Sequence, residues 1–586
     1  MGNIDNNEFK KLENLYKLKE FSKLEKEVKR LLKIDNKNLF LKNIQGVICL
    51  KKKSLNEAEN IFIDILKNNP KNLDALKNLG ETYRKRYIYD NAIKYYKIYL
   101  EQNPKDHEIL NNIASCYLKN KRYEEALTSY KILLKKNPKN LEYKTNFAFA
   151  LIDALNYQEG IKILEEVLDE NINNKRAYSG YLSNQHYNPD INYNKINNYI
   201  KKYNESYQIK KLNIIEFKFK KDAKKLNIGF ISPDFRNHPV GYAIKEVIKN
   251  LKIYNYNSYA YYNFHIEDRL TRELKKNFNF FLNISNLEDE QIINKIRSDG
   301  IHILVDLAGH TINNNLNIFY YDPAPIQVSW LGYLPTTGIK NIKYKIGDPH
   351  IYTKSCEKNF TEKILNLPNI WSNFSINIRN DEANFLFNSS KKEIIFGSFV
   401  TLRKINDKVI ALWSKVLNRY PYTKIYFKAP ELHDPMYKKK FLEKFLKFGV
   451  NSERIILEKS SNYEDYLESY AKVHLTLDPF PWNGVTTSFE SIWMGSPVFC
   501  LKGTSPLSRC TYSINQNLGM YDWIAENEED YLTKLGKILS NKEKLFLIKN
   551  NLRKKAIKNN LFNSKIFTRE LSNVFNQVWE DLRTIM

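Results

Sequence analysis

Three stretches of the chain hold residue types that could handle a phosphorylated ligand. In the run Leu477-Asp478-Pro479-Phe480-Pro481-Trp482-Asn483-Gly484-Val485-Thr486-Thr487 a strand-like segment ends, a proline-rich loop follows, and a helix opens. The free N–H groups and dipole of a helix start attract anions. Asn483 and Gly484 lead into that start, Gly484 lets backbone approach a ligand, and the Thr486 and Thr487 hydroxyls add donors. Glu490, one turn on, is spaced to accept hydrogen bonds from ribose hydroxyls; the same Thr487-x-x-Glu490 spacing also reads as a capping box, which needs no ligand. In Phe396-Gly397-Ser398-Phe399-Val400-Thr401-Leu402-Arg403-Lys404, Lys404 stands just past a strand end, where a cation can neutralise a departing phosphate. Taken alone, a lysine in so Lys-rich a chain is a surface residue. Asp234 and His238 lie in a loop after a third strand, where a histidine can hydrogen-bond a sugar or an incoming hydroxyl. An isolated Asp-x-x-x-His is also an ordinary structural loop.

The elements that must position these residues alternate. Short apolar runs around Ile228, Tyr259, Leu304, Ile395, Tyr426, Ile456, Leu475 and Phe499 are separated by helical patterns. That alternation predicts two parallel-sheet, Rossmann-like lobes with a cleft between them, ligands binding outside the carboxyl ends of the strands. No Gly-x-Gly-x-x-Gly or Gly-x-x-x-x-Gly-Lys-Ser/Thr motif occurs, which removes support for a dehydrogenase or a P-loop NTPase. No Asp-x-Asp pair occurs either, so a leaving diphosphate needs stabilisation without a metal.

The N-terminal third runs on a 34-residue period. Ala58, Ala92, Ala126 and Gly160 share one phase; Gly46, Gly80, Ala114 and Ala148 a second; Pro70, Pro104 and Pro138 a third. Small residues at fixed phases and a proline after each second helix form the tetratricopeptide signature. Asn78, Asn112 and Asn146 repeat on the first helices, where they could hydrogen-bond the backbone of an extended peptide. They are equally a slot that tolerates Asn in an Asn-rich protein. The fold class is thus all-α followed by α/β. The expected domains are repeats (1–175), a helical linker (176–222), two catalytic lobes (223–390 and 391–550) and a C-terminal helix (551–586) that packs back on the catalytic unit.

The chain has 586 residues, five scattered cysteines and a net charge of +26. The length implies three or four domains. The cysteine spacing argues against a disulfide framework and fits a reducing compartment. No apolar stretch approaches the roughly 20 residues that span a bilayer, and no signal peptide opens the chain, so a cytoplasmic location is expected. The lysines are spread along the chain, which reads as a solvated surface and not as a nucleic-acid groove.

In this order, the repeat array and the segments Ser232–Gly241, Gly300–Thr311, Pro323–Gly338, Phe399–Ile405 and Leu477–Val498 resemble the O-linked N-acetylglucosamine transferase and SPINDLY family, glycosyltransferase family 41. The resemblance covers nearly all the chain, down to the helix around Ile566–Trp579. It implies a GT-B-type pair of lobes and an inverting, metal-independent transfer to Ser or Thr of proteins, with a nucleotide sugar as donor substrate and no cofactor. It also implies site roles: His238 and Pro239 beside the donor sugar, Asp234 as a once-considered base, and Lys404 on the diphosphate. Thr486 and Thr487 would bind phosphate and Glu490 the ribose, with Leu331, Gly332, Tyr333 and His310 near the sugar. Tyr466 stands where the family has a histidine against the nucleobase, Val240 replaces a threonine beside the sugar, and Val485 replaces the histidine of animal members. These departures leave N-acetylglucosamine from UDP-GlcNAc, fucose from GDP-fucose and glucose from UDP-glucose all open, alongside a non-catalytic scaffold. Expected partners are the donor and proteins held in the repeat groove, with a homodimer through the repeats allowed, and no membrane span or specific nucleic acid.

Overall fold

A column of short polar residues starts the first helix of each repeat. In the computed structural model, which describes residues 6–18, 20–217, 225–374 and 393–585, Asn38, Asn72, Asp106, Asn140 and Asn174 are N-caps. Their side chains accept the N–H of Leu41, Ala75, Ile109, Tyr143 and Ala177, satisfying donors that a helix start leaves unpaired. The first four of these helices then turn into their partners through a residue in left-handed backbone: Lys53, Tyr87, Lys121 and Leu155, at φ of 64°, 61°, 61° and 67°. The small residues serve close packing. A Cβ on Gly46 would lie 2.5 Å from the Phe62 ring, and one on Gly80 2.6 Å from Tyr96.

The chain divides into two compact units, Met1–Val167 and Leu168–Met586. The first is the run of paired helices, a tetratricopeptide array. The second opens with the helices Lys175–Gln185 and Tyr193–Ser206 and continues into two wholly parallel sheets. The first sheet has seven strands. At its centre Leu226–Ser232 lies between Tyr256–Tyr262 and Ile303–Asp306. The second has six, with Ile394–Ser398 between Thr423–Ala429 and Leu475–Leu477. Strands at Phe280–Asn283, Ile326–Ser329, Tyr344–Gly347, Lys363–Asn366 and Ile524–Ala525 extend these sheets beyond the apolar runs read from the sequence. The expected lobe boundaries at 222 and 390 lie outside the described residues.

The helix expected over 551–586 is shorter, because Lys542–Lys558 runs through residue 551 and a turn at Asn560–Phe562 breaks the chain; the last helix, Ser564–Ile585, returns to the first lobe. The Tyr256 hydroxyl donates to Asn576 Oδ1 at 2.7 Å, and Trp579 meets His302 edge to face. No helix among the described residues is long and apolar enough to cross a membrane.

Candidate functional site

Leu475 pairs with Phe396 in neighbouring parallel strands, so the loops leaving their carboxyl ends run side by side. Lys404, in a short 3₁₀ turn on one loop, donates from Nζ to the Asn483 carbonyl of the other at 2.7 Å. Asp478 accepts the Gly484 N–H on Oδ1 at 2.6 Å, while its buried Oδ2 accepts no hydrogen bond among the described residues. Burial drives the Lys404 ammonium below and the Asp478 carboxyl above their usual ranges, and the attraction between them opposes both shifts.

The helix Thr486–Trp493 begins at Val485 without a side-chain cap. Among the described residues nothing accepts the N–H of Thr486 or Thr487, so two donors point out of the first turn beside Lys404. Gly484 is required here: a Cβ would stand 2.5 Å from Thr487 Oγ1 and 2.7 Å from Ser488 Oγ. Asn483 is fully buried, its Nδ2 donating to the Pro479 carbonyl.

The capping-box alternative fails because the helix starts one residue before Thr487, and Glu490 turns away from the backbone. Its carboxylate, 4 % exposed, accepts the hydroxyls of Tyr463 at 3.0 Å and Tyr466 at 2.9 Å. Burial pushes Glu490 up to about 7, against the pull of those two hydrogen bonds. Tyr466, expected against a nucleobase, is half-buried, edge-on to Phe399 and bonded to both Glu490 and the Tyr470 hydroxyl.

On the first lobe, His238 caps the helix Pro239–Leu251, with Pro239 at its first position. The Val240 N–H donates to His238 Nδ1 at 3.3 Å, which leaves the ring proton on Nε2. Burial holds the imidazole below its ordinary range although Asp234 opposes this, so at neutral pH His238 is an uncharged Nε2–H donor. Asp234 is buried, with Arg236 at 3.2 Å and His238 Nδ1 at 3.6 Å.

Leu331 adopts a φ of 71°, and a Cβ on Gly332 would lie 2.0 Å from the Leu307 carbonyl. Only glycine permits that approach. The Tyr333 carbonyl accepts from Lys345 Nζ at 2.8 Å, so a fully buried lysine fastens this turn. His310, expected near the sugar, is 4 % exposed. Both its nitrogens are engaged, Nε2 with the Thr337 carbonyl at 2.7 Å and Nδ1 with Ser179 Oγ at 3.0 Å, which makes it a tie within the fold. In the array, Asn78 donates to Asn43 and Asn146 to Asn111. First helices of adjacent repeats lie close enough for these amides to bridge them, and of the column only Asn112 has a side chain without a partner among the described residues.

The lobes face each other directly. Tyr242 and Tyr463 rings stand parallel at 6.2 Å, Ser513 Oγ donates to Asp348 at 2.8 Å, and Arg509 Nε donates to the His350 carbonyl at 2.6 Å. Sequence reasoning missed Asp478, Tyr463 and Lys345. Asp478 sat at the end of the strand that carried the motif, whereas Lys345 offered no motif at all.

The fold and site define a tetratricopeptide array followed by two Rossmann-like lobes whose strand-end loops carry a helix start with open N–H donors. The profile of Glycosyl transferase family 41 matches residues 151–377 and 382–571, and the chain belongs to that family. Residues 85–167, within the repeats, match the profile of anaphase-promoting complex, cyclosome, subunit 3. The chain is 28% identical over 362 residues to a probable UDP-N-acetylglucosamine–peptide N-acetylglucosaminyltransferase SPINDLY of Solanum lycopersicum, covering 60% of this chain and 39% of that one. It is 26% identical over 372 residues to a probable enzyme of the same description, SEC, of Arabidopsis thaliana, covering 61% of this chain and 37% of the other. The chain thus spans about two fifths of the length of the curated relatives it matches. Among solved structures, a mutant of the Thermobaculum terrenum O-GlcNAc transferase superposes with a TM-score of 0.74 at 25% identity, over 93% of this chain and 98% of that one.

Proposed function

We propose that this protein transfers a sugar from a nucleoside diphosphate donor to Ser or Thr hydroxyls of proteins, inverting the anomeric carbon and using no metal. The observation that carries the reading is the Lys404 ammonium, 2.7 Å from the Asn483 carbonyl, beside the open N–H groups of Thr486 and Thr487. A fixed cation and preorganised donors stabilise the charge that develops on a leaving diphosphate. The acceptor oxygen attacks the anomeric carbon, the bond to the β-phosphate oxygen breaks, and that oxygen leaves with the electron pair. The hydroxyl proton passes to a donor phosphate or to water. His238, through Nε2–H, orients the sugar or the phosphate, and Asp234 pairs with Arg236 instead of taking the proton.

N-acetylglucosamine from UDP-GlcNAc is the favoured donor chemistry, on the activity ascribed to the SPINDLY and SEC relatives; GDP-fucose and UDP-glucose are the alternatives. Five buried, unpaired cysteines support a reducing, cytoplasmic setting. The test incubates purified protein, a candidate acceptor and each of the three sugar nucleotides with excess chelator, and reads the added mass. Turnover is expected with the chelator present, and Lys404→Ala should lower kcat by roughly 100- to 1,000-fold while leaving the fold intact. Equal rates for wild type and Lys404→Ala, or an absolute need for added divalent metal, would overturn the mechanism.

A further inference from the structure

The helices Lys175–Gln185 and Tyr193–Ser206 are fastened to the first lobe. Ser179 bonds His310, Asn204 Nδ2 donates to the Gly338 carbonyl at 2.7 Å, and the Tyr320 hydroxyl donates to Asn204 Oδ1 at 2.8 Å. Tyr207 stacks on Tyr320 at 3.9 Å. From this base Tyr187, just past the first of the two helices and 7 % exposed, reaches the second lobe. Its ring stacks on Trp482 at 4.3 Å with 29° between planes, and the Arg403 guanidinium lies 4.8 Å from its centre.

Those two contacts fall on the loops that hold the Lys404 ammonium. Arg403 immediately precedes Lys404. Trp482 immediately precedes Asn483, whose carbonyl receives the ammonium, and the Trp482 ring itself lies 5.2 Å from Lys404 Nζ. One aromatic ring, anchored on the first-lobe side, thus touches both loops through stacking and cation–π contact. We propose that Tyr187 is a positioning residue for Lys404, clamping the two phosphate-facing loops of the second lobe around the ammonium and keeping water from it. Its consequence for turnover rests on the glycosyl-transfer reading; its effect on the lysine does not.

The charged and titratable groups that face Lys404 are Asp478, Cys510 and Arg403, and burial, the largest influence, holds the ammonium below its usual range. Opening the clamp admits water and lets the lysine rise toward that range. The test is competitive acetylation of Lys404 from neutral to alkaline pH, read by mass spectrometry of the peptide that carries it, together with turnover of UDP-GlcNAc. Tyr187→Phe keeps the ring and should titrate with wild type. Tyr187→Ala should move the midpoint up by roughly one pH unit and lower kcat about tenfold at nearly unchanged KM. Trp482→Leu removes the other ring of the pair and should do the same, which preserves the test if Tyr187→Ala does not fold. Coincident midpoints for wild type and the ring-deleted proteins would overturn the clamp. A midpoint that moves in a protein that turns over no donor would uphold the clamp and overturn the glycosyl-transfer reading.

Discussion

Two tyrosine hydroxyls on one buried carboxyl make Glu490 the residue whose ionisation most directly tests the site. Its folded value, raised by burial from 4.5 to about 7, means the folded protein binds this proton more tightly than the unfolded chain. The favourable contribution is complete below about pH 4.5 and is lost as pH rises through 7. Glu490→Gln has no charge to bury, so its thermal stability should gain on that of wild type between pH 5 and 8, by on the order of 2–3 kcal/mol. Parallel melting curves for the two proteins across that range would show the carboxyl to be an ordinary solvated acid. At this scale the sequence exposed the residues that follow strand ends: Lys404, Thr486, Thr487 and Glu490 were all readable from position. Asp478 and Lys345 acquire their significance from burial, which depends on what folds over them, and spacing along the chain does not record that. The same holds for His310, whose partner Ser179 lies far away in sequence.

The turns of the repeats show a cost that periodicity alone did not reveal. Four non-glycine residues at 34-residue spacing sit in left-handed backbone, where an L side chain is disfavoured by about 1–2 kcal/mol. Glycine there loses about 0.5–1 kcal/mol in chain entropy, so Lys121→Gly should stabilise the array by roughly 0.5 kcal/mol, seen as a small rise in its melting midpoint. A fall would mean that the Lys121 side chain contributes more than its backbone costs. The paired helices and the central strands were legible because their apolar periods are long. Tyr344–Gly347 and Lys363–Asn366 were not: each is four residues long and carries lysine, and the pairing that makes them strands comes from the neighbouring edge of the sheet.

Across the whole molecule, the two-lobed arrangement followed from the alternation of strand and helix and the return of the C-terminal helix from the family resemblance, while its partners Tyr256 and His302 are tertiary facts. The cap column has a consequence for how such a chain can change length. Asn174 keeps the beat of Asn38, Asn72, Asp106 and Asn140, yet the helix it caps belongs to the unit that carries the two lobes. Excising Leu73 through Asp106 removes one full period and rejoins a cap, Asn72, to the start of a first helix at His107. Such a shortened protein should bind UDP with unaltered affinity by calorimetry; a loss of binding would show that the nucleotide site depends on the number of repeats ahead of it. Repeat number then becomes a quantity that duplication and loss can tune in whole steps, lengthening or shortening the array while the loops around Lys404 stay in frame.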